Sequence, residues 1–175
     1  MNISLIGYRG TGKSTVAQCV ARRLAWNWVD ADAYLEAQAG ATIRELFERE
    51  GESAFRAREV LVIAELCRRD RLVIAAGGGA VLREENRQTL RSAGVTIWLV
   101  ASPDVIEQRV AADAATASRR PPLTRLGERE EIRRLLADRD PLYRECADTI
   151  IDTDSRTPDE IAHMIVQFVQ SWTRE

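Results

Sequence analysis

The stretch "NISLIGYRGTGKSTVAQ", residues 2–18, limits what this chain can become more than any other part of it. An apolar, β-prone run (Asn2–Ile6) leads into Gly7, Gly12, Lys13 and Ser14 at the spacing G-x-x-x-x-G-K-[ST]. A helical pattern takes over from Lys13 to Leu24. Glycine lets a backbone take dihedrals closed to other residues and approach an anion closely. Successive amide N–H groups then turn inward, and the N-terminus of the following helix adds partial positive charge. Such a loop cradles phosphate. Gly10, Thr11, Gly12, Lys13, Ser14 and Thr15 form the candidate nucleotide-binding set, with Lys13 reaching the β- and γ-phosphates of ATP and the Ser14 hydroxyl placed to ligate Mg²⁺. Lys and Arg number 25 together, and Lys13 is the only lysine. A compact ammonium on a flexible stem suits this cradle; a broad planar guanidinium does not.

Downstream, apolar runs alternate with helical patterns. Strands are expected at 26–29, 72–76, 95–100 and 148–152, and helices near 33–40, 42–51, 53–69, 83–92, 103–110 and 128–139, with a last helix opened by Thr157 and Pro158. Thr42 and Glu45 have capping-box spacing. The small, polar, Pro-containing stretch "DAATASRRPPLTRLG" reads as a loop. Strands alternating with helices predict an α/β, three-layer α/β/α fold: about five parallel strands, covered on both faces, in a single domain spanning 1–175. Ligands in such sheets bind beyond the C-terminal strand ends, where the phosphate loop falls.

Charge and cysteine content narrow the function. A net charge of −2 argues against a nucleic-acid or membrane-surface binder. The chain has no stretch of 18 apolar residues and no signal-peptide pattern, so a cytoplasmic protein is expected. Cys19, Cys67 and Cys146 lack metal-ligand spacing, and the single His163 leaves no catalytic triad. A monomer acting on a small molecule is the expectation.

The class of nucleotide protein follows from what is missing. The guanine motif N-K-x-D is impossible when the sole lysine lies elsewhere, and the strand at 72–76 ends in Gly77, Gly78 and Gly79 instead of an acid. The carboxylates stand in "WVDADAYLE": Asp30 and Asp32 at i, i+2 lie on one side of an extended chain. One is suited to the metal shell and the other to a substrate hydroxyl; the plainer alternative is that Asp32 caps the next helix. Arg56, Arg120 and Arg139 stand out from the solvated arginines, since guanidinium forks suit carboxylates and phosphates.

The set "GYRGTGKST", "DADAYLE", "GESAFRARE", "GGGAV", "RRPPLT", "DPLYRECAD" and "IDTDSRTP", in this order across about residues 5–158, resembles the shikimate kinase family. The resemblance implies ATP-dependent phosphorylation of the shikimate 3-hydroxyl on the way to chorismate. It implies Ser14 on Mg²⁺, Asp30 on a water of its shell, and Asp32 as base and hydroxyl ligand. Arg56 and Arg139 would clamp the substrate carboxylate, and the backbone of Gly77, Gly78 and Gly79 would contact the ring. Arg120 would meet the phosphates, and Arg109 and Pro158 would flank the adenine. Residues 31–60 resemble a substrate-binding subdomain and 111–126 a lid; where the family often has one arginine before Pro-Leu, Arg119 and Arg120 precede two prolines here. A gluconate or nucleoside monophosphate kinase, and a nucleotide-binding module without turnover, are the competing readings.

Overall fold

A computed structural model describes residues 1–112 and 128–172. Its sheet is built outward from β1 (Asn2–Ile6), with β3 (Leu72–Ala75) on one side and β4 (Gly94–Val100) on the other. β2 (Asn27–Asp30) and β5 (Thr149–Asp152) form the edges, giving the order β2-β3-β1-β4-β5 with every pairing parallel. Each of the three inner strands splits its residues between two cores, because successive side chains point to opposite faces. Ile3, Leu5, Val73, Ala75, Ile97 and Leu99 pack against α1 (Lys13–Leu24) and the last helix, α7 (Pro158–Ser171). Ile6, Leu72, Ile74 and Trp98 pack on the other face with α2 (Ala31–Ala39), α3 (Ile43–Cys67), α4 (Glu84–Ala93) and α6 (Glu128–Cys146). The remaining helix, α5 (Pro103–Ala112), meets α6 through Ile106, Val110 and Ile132. Three layers and five parallel strands agree with the sequence expectation.

Local signals set the helix ends. Thr42 and Glu45 form a reciprocal capping box at α3, and Thr157 and Glu160 form another at α7, where Pro158 takes the first position.

The helices expected at 42–51 and 53–69 divide where the sequence places the break: within α3, Gly51 (φ 80°, ψ 170°) leaves the helical conformation for one only glycine takes without strain, and the helix kinks there. Two expectations needed adjustment. The helix expected to end at Arg139 continues through Pro141 to Cys146. Proline removes one backbone donor there, but Tyr143 and Cys146 beyond it are buried in the core, at 0 % and 1 % exposure, and this packing carries the helix on. Finally, β2 is not covered on both faces: Asn27 and Trp28 are exposed because the strand is an edge. Among the described residues no helix is long and apolar enough to cross a membrane.

Candidate active site

The phosphate loop joins β1 to α1. Gly12 is the N-cap of α1 with φ 84°; no side chain caps this helix, and its first turn carries no acid. Side chains of Asp30, Thr42 and Thr157, by contrast, cap α2, α3 and α7. No side chain therefore competes with an anion for the first-turn amides of α1. Lys13 folds back over the loop, its Nζ donating to the carbonyls of Gly7 and Tyr8 at 2.8 Å each.

The two aspartates divide their work in a way that settles which one caps. Asp30 Oδ1 accepts from the amides of Asp32 (3.0 Å) and Ala33 (3.1 Å), and its Oδ2 accepts from Ser14 Oγ. Asp30 thus caps α2 and also faces the phosphate loop. Asp32, one helical step on, is not the cap, and it lines a cleft beside the glycines that follow β3.

That cleft spans about 540 Å³ of non-protein space, the open solvent at its mouth included. Asp32, Arg56, Gly78, Gly79 and Arg139 all line it, although they come from α2, α3, the turn after β3, and α6. Ile43, Phe47 and Phe55 supply an apolar wall. Arg56 is 8 % exposed; its Nη1 donates to both oxygens of Glu59 at 3.0 Å, and its guanidinium lies over the Phe55 ring at 5.1 Å. Glu59 is itself buried, which pushes its carboxyl up from the ordinary range, while the neighbouring Arg56 pulls it back down. Arg139 Nη1 donates to the Gly78 carbonyl at 3.0 Å, and its guanidinium sits 5.8 Å from the centre of the Tyr8 ring.

Space, and not backbone angle, explains Gly77 and Gly79. A Cβ on Gly77 would stand 2.5 Å from Asp32 Oδ1, and one on Gly79 would stand 2.4 Å from Arg56 Nη2. A side chain at either position would push a functional group out of place.

Sequence reasoning had not singled out several residues found here. Tyr8 and Arg9, at the unspecified positions of the phosphate-loop motif, also line the cleft, so the phosphate loop borders it directly. Arg9 reaches the buried Glu131 of α6 at 3.6 Å. Glu59 was detectable as an acid three residues after Arg56 on a helix, the spacing at which side chains meet. Tyr143, whose hydroxyl donates to the Gly78 carbonyl at 2.6 Å, gave no such signal, because only the fold brings it there.

The other expected positions are spread around the nucleotide side. Arg109 of α5 donates to the Gly10 carbonyl (3.3 Å) and to Thr153 Oγ1 (2.9 Å) and O (2.7 Å), which ties the phosphate loop to the segment after β5. Pro158 is exposed, five residues further on. Arg119 and Arg120, with most of the expected lid, lie outside the described residues.

An uncapped phosphate cradle that shares its rim with a cleft lined by Asp32, Glu59, Arg9, Arg56 and Arg139 defines a P-loop kinase for small molecules. The shikimate kinase family model matches residues 9–170. A shikimate kinase of Rhodopirellula baltica is 44% identical over 97% of this chain and 91% of its own length, and one of Pseudomonas savastanoi is 48% identical over 90% and 89%. The shikimate kinase of Acinetobacter baumannii, solved in complex with shikimate, superimposes with a TM-score of 0.91 at 39% identity, covering 97% of this chain and 93% of that one. The chain belongs to the shikimate kinase family. It is an ATP-using phosphotransferase.

Proposed function

We propose that the chain transfers the γ-phosphoryl group of ATP to the 3-hydroxyl of shikimate, giving shikimate 3-phosphate and ADP on the route to chorismate and the aromatic amino acids. One observation carries this reading: Asp32, Arg56 and Arg139, far apart in sequence, line a single cleft bordered by the phosphate loop. Asp32 and the guanidinium groups of Arg56 and Arg139, among the charged residues facing one small space, suit an acceptor that bears both a hydroxyl and a carboxylate.

Phosphoryl transfer asks for positioning and charge neutralisation more than covalent chemistry. Asp32 orients the attacking hydroxyl and takes its proton. Arg56 and Arg139 hold the carboxylate end, with Glu59 fixing the direction of the Arg56 fork. The backbone of Gly77, Gly78 and Gly79 contacts the ring. Lys13 meets the β- and γ-phosphates beside the amides of Gly10, Thr11, Gly12, Ser14 and Thr15, and Arg120 adds positive charge from the lid. Arg109 and Pro158 flank the adenine. Residues 31–60 act as the substrate-binding subdomain and 111–126 as the lid, which excludes water as a competing acceptor. The enzyme works as a cytoplasmic monomer.

The donor set fits Mg²⁺. The Ser14 hydroxyl and the Asp30 carboxylate are hard oxygen ligands bonded to each other at the mouth of the phosphate loop. Among the described residues no cluster of three or more His, Cys, Asp or Glu forms a metal cage; Mg²⁺ typically uses one or two protein oxygens together with phosphates and water. Ser14 would bind the ion directly and Asp30 through a water; when bound it neutralises phosphate charge.

A coupled ADP-release assay with shikimate, quinate, gluconate and AMP as acceptors tests the reading. Turnover with shikimate well above the other three is expected. Preference for gluconate or AMP, or turnover with none of the four, refutes it.

A further inference from the structure

We propose that Tyr143 is a positioning residue for the acceptor: its hydroxyl locks the Gly78–Gly79 peptide, so that the glycine wall keeps its shape against Asp32 and Arg56. The inference rests on the acceptor reading above and adds a residue to it.

The glycine run contains a conflict. Asp32 and Arg56 approach so closely that side chains at Gly77 and Gly79 are excluded. Yet three successive glycines form the most freely jointed backbone a chain can offer. A wall that must be bare is by default a wall that wanders, and an acceptor held against it would lose alignment. Something outside the run has to restrain it.

Backbone bonds hold its two ends. The Ala76 amide donates to the Leu5 carbonyl at 3.0 Å, continuing the sheet, and the Ala80 amide donates to the Gly77 carbonyl at 3.0 Å. The middle is held from α6. The Gly78 carbonyl accepts from Arg139 Nη1 at 3.0 Å and from Tyr143 Oη at 2.6 Å. A carbonyl oxygen has two lone pairs, and both are used. The peptide is trans and planar, so a carbonyl fixed toward α6 sends the Gly79 N–H the opposite way. Holding the oxygen therefore sets the direction of the amide as well.

Of the two donors, only Tyr143 stays outside the cleft, its hydroxyl held beside the Arg139 guanidinium. Arg139 lines the cleft and is assigned to the acceptor carboxylate. Tyr143 does not line it; its ring is fully buried and stacked on Trp98 of β4, with centroids 5.2 Å apart and planes at 19°. The hydroxyl is thus anchored to the sheet. Burial pushes its pKa up to about 12, so it stays a neutral donor throughout the working range. With Tyr143 holding the wall, Arg139 can turn toward a ligand without releasing the loop.

Tyr143→Phe keeps the ring and the stack and removes only the hydroxyl. The expected result is a shikimate KM raised about five- to tenfold with the ATP KM within about twofold of wild type, together with faster amide hydrogen exchange at Gly79 and Ala80. A residue that only supports the fold would lower the melting temperature and leave the shikimate KM alone. An unchanged shikimate KM in the variant, or unchanged exchange at Gly79 and Ala80, overturns the proposal. If the wild-type protein itself does not turn over shikimate, the acceptor assignment falls instead, and the exchange rates alone decide the role of Tyr143.

Discussion

Gly79→Ala should damage acceptor binding while sparing both the nucleotide side and the fold. The added Cβ would lie 2.4 Å from Arg56 Nη2 and 2.5 Å from Nη1, where ordinary contact begins at 3.4 Å. The guanidinium must therefore retreat by about 1 Å. Retreat is not free, because Nη1 makes two 3.0 Å bonds to Glu59 and the group lies over Phe55. Hydrogen bonds to a charged partner contribute about 1.5–3 kcal/mol net. Losing one of them, together with the alignment of the fork, should raise the shikimate KM by about 10- to 100-fold. The ATP KM should stay within about twofold, since the three atoms nearest that Cβ all belong to Arg56. Initial rates in a coupled ADP assay, with shikimate varied at saturating ATP and then the reverse, separate the two effects; a thermal melt checks that the variant folds. A folded variant with wild-type shikimate KM, or with both KM values raised equally, would refute the reasoning.

Three further outcomes follow from the same geometry. Lys13→Ala should lower kcat by about a thousandfold, with shikimate binding by calorimetry retained; a loss under tenfold would remove Lys13 from the catalytic set. Arg139→Lys should not restore acceptor binding to an Arg139→Ala background, because a single ammonium cannot make a forked contact; a lysine variant with near wild-type KM would show that charge alone suffices. Tyr143 has a folded pKa of about 12 against an ordinary 10.0. This raised value means that its contribution to stability is complete below pH 10 and is lost as the pH rises through 12. By pH 11 the wild type should have lost about 1 kcal/mol more than Tyr143→Phe, measured by urea unfolding at pH 8 and pH 11. Equal losses in the two proteins would refute the assignment.

Much of this was legible before any coordinates. Residues 7–15 carry their function in spacing, since a phosphate cradle is a local object made of consecutive amides. The parallel sheet was legible for a similar reason: strand alternation and helix caps are short-range signals. The helix running through Pro141 was not, because a buried tyrosine two residues beyond the proline outweighs the local break, and its burial depends on the whole core. The division of labour between Asp30 and Asp32 was also ambiguous, since both have the chemistry to cap a helix and only the dihedral at Asp30 (φ −90°, ψ 117°) selects it. Glu59, three residues after Arg56, was within reach of helical spacing; Tyr143 escaped for a deeper reason, since it touches a functional wall and needs no functional pattern of its own. Residues that hold a site in shape advertise themselves only through contacts, and contacts across 65 positions of chain are invisible in a string of letters.

The solitary lysine leaves this protein open to covalent mapping. Its ε-amine rests on the Gly7 and Tyr8 carbonyls at the lip of the cradle, and the α-amino group is already engaged by Asp70. Any acylating or aldehyde reagent that modifies a side-chain amine must therefore modify the one proposed to meet the nucleotide, so adduct stoichiometry and inactivation should advance together. Bound ATP would shield that amine, and the degree of shielding would read nucleotide occupancy directly by mass spectrometry.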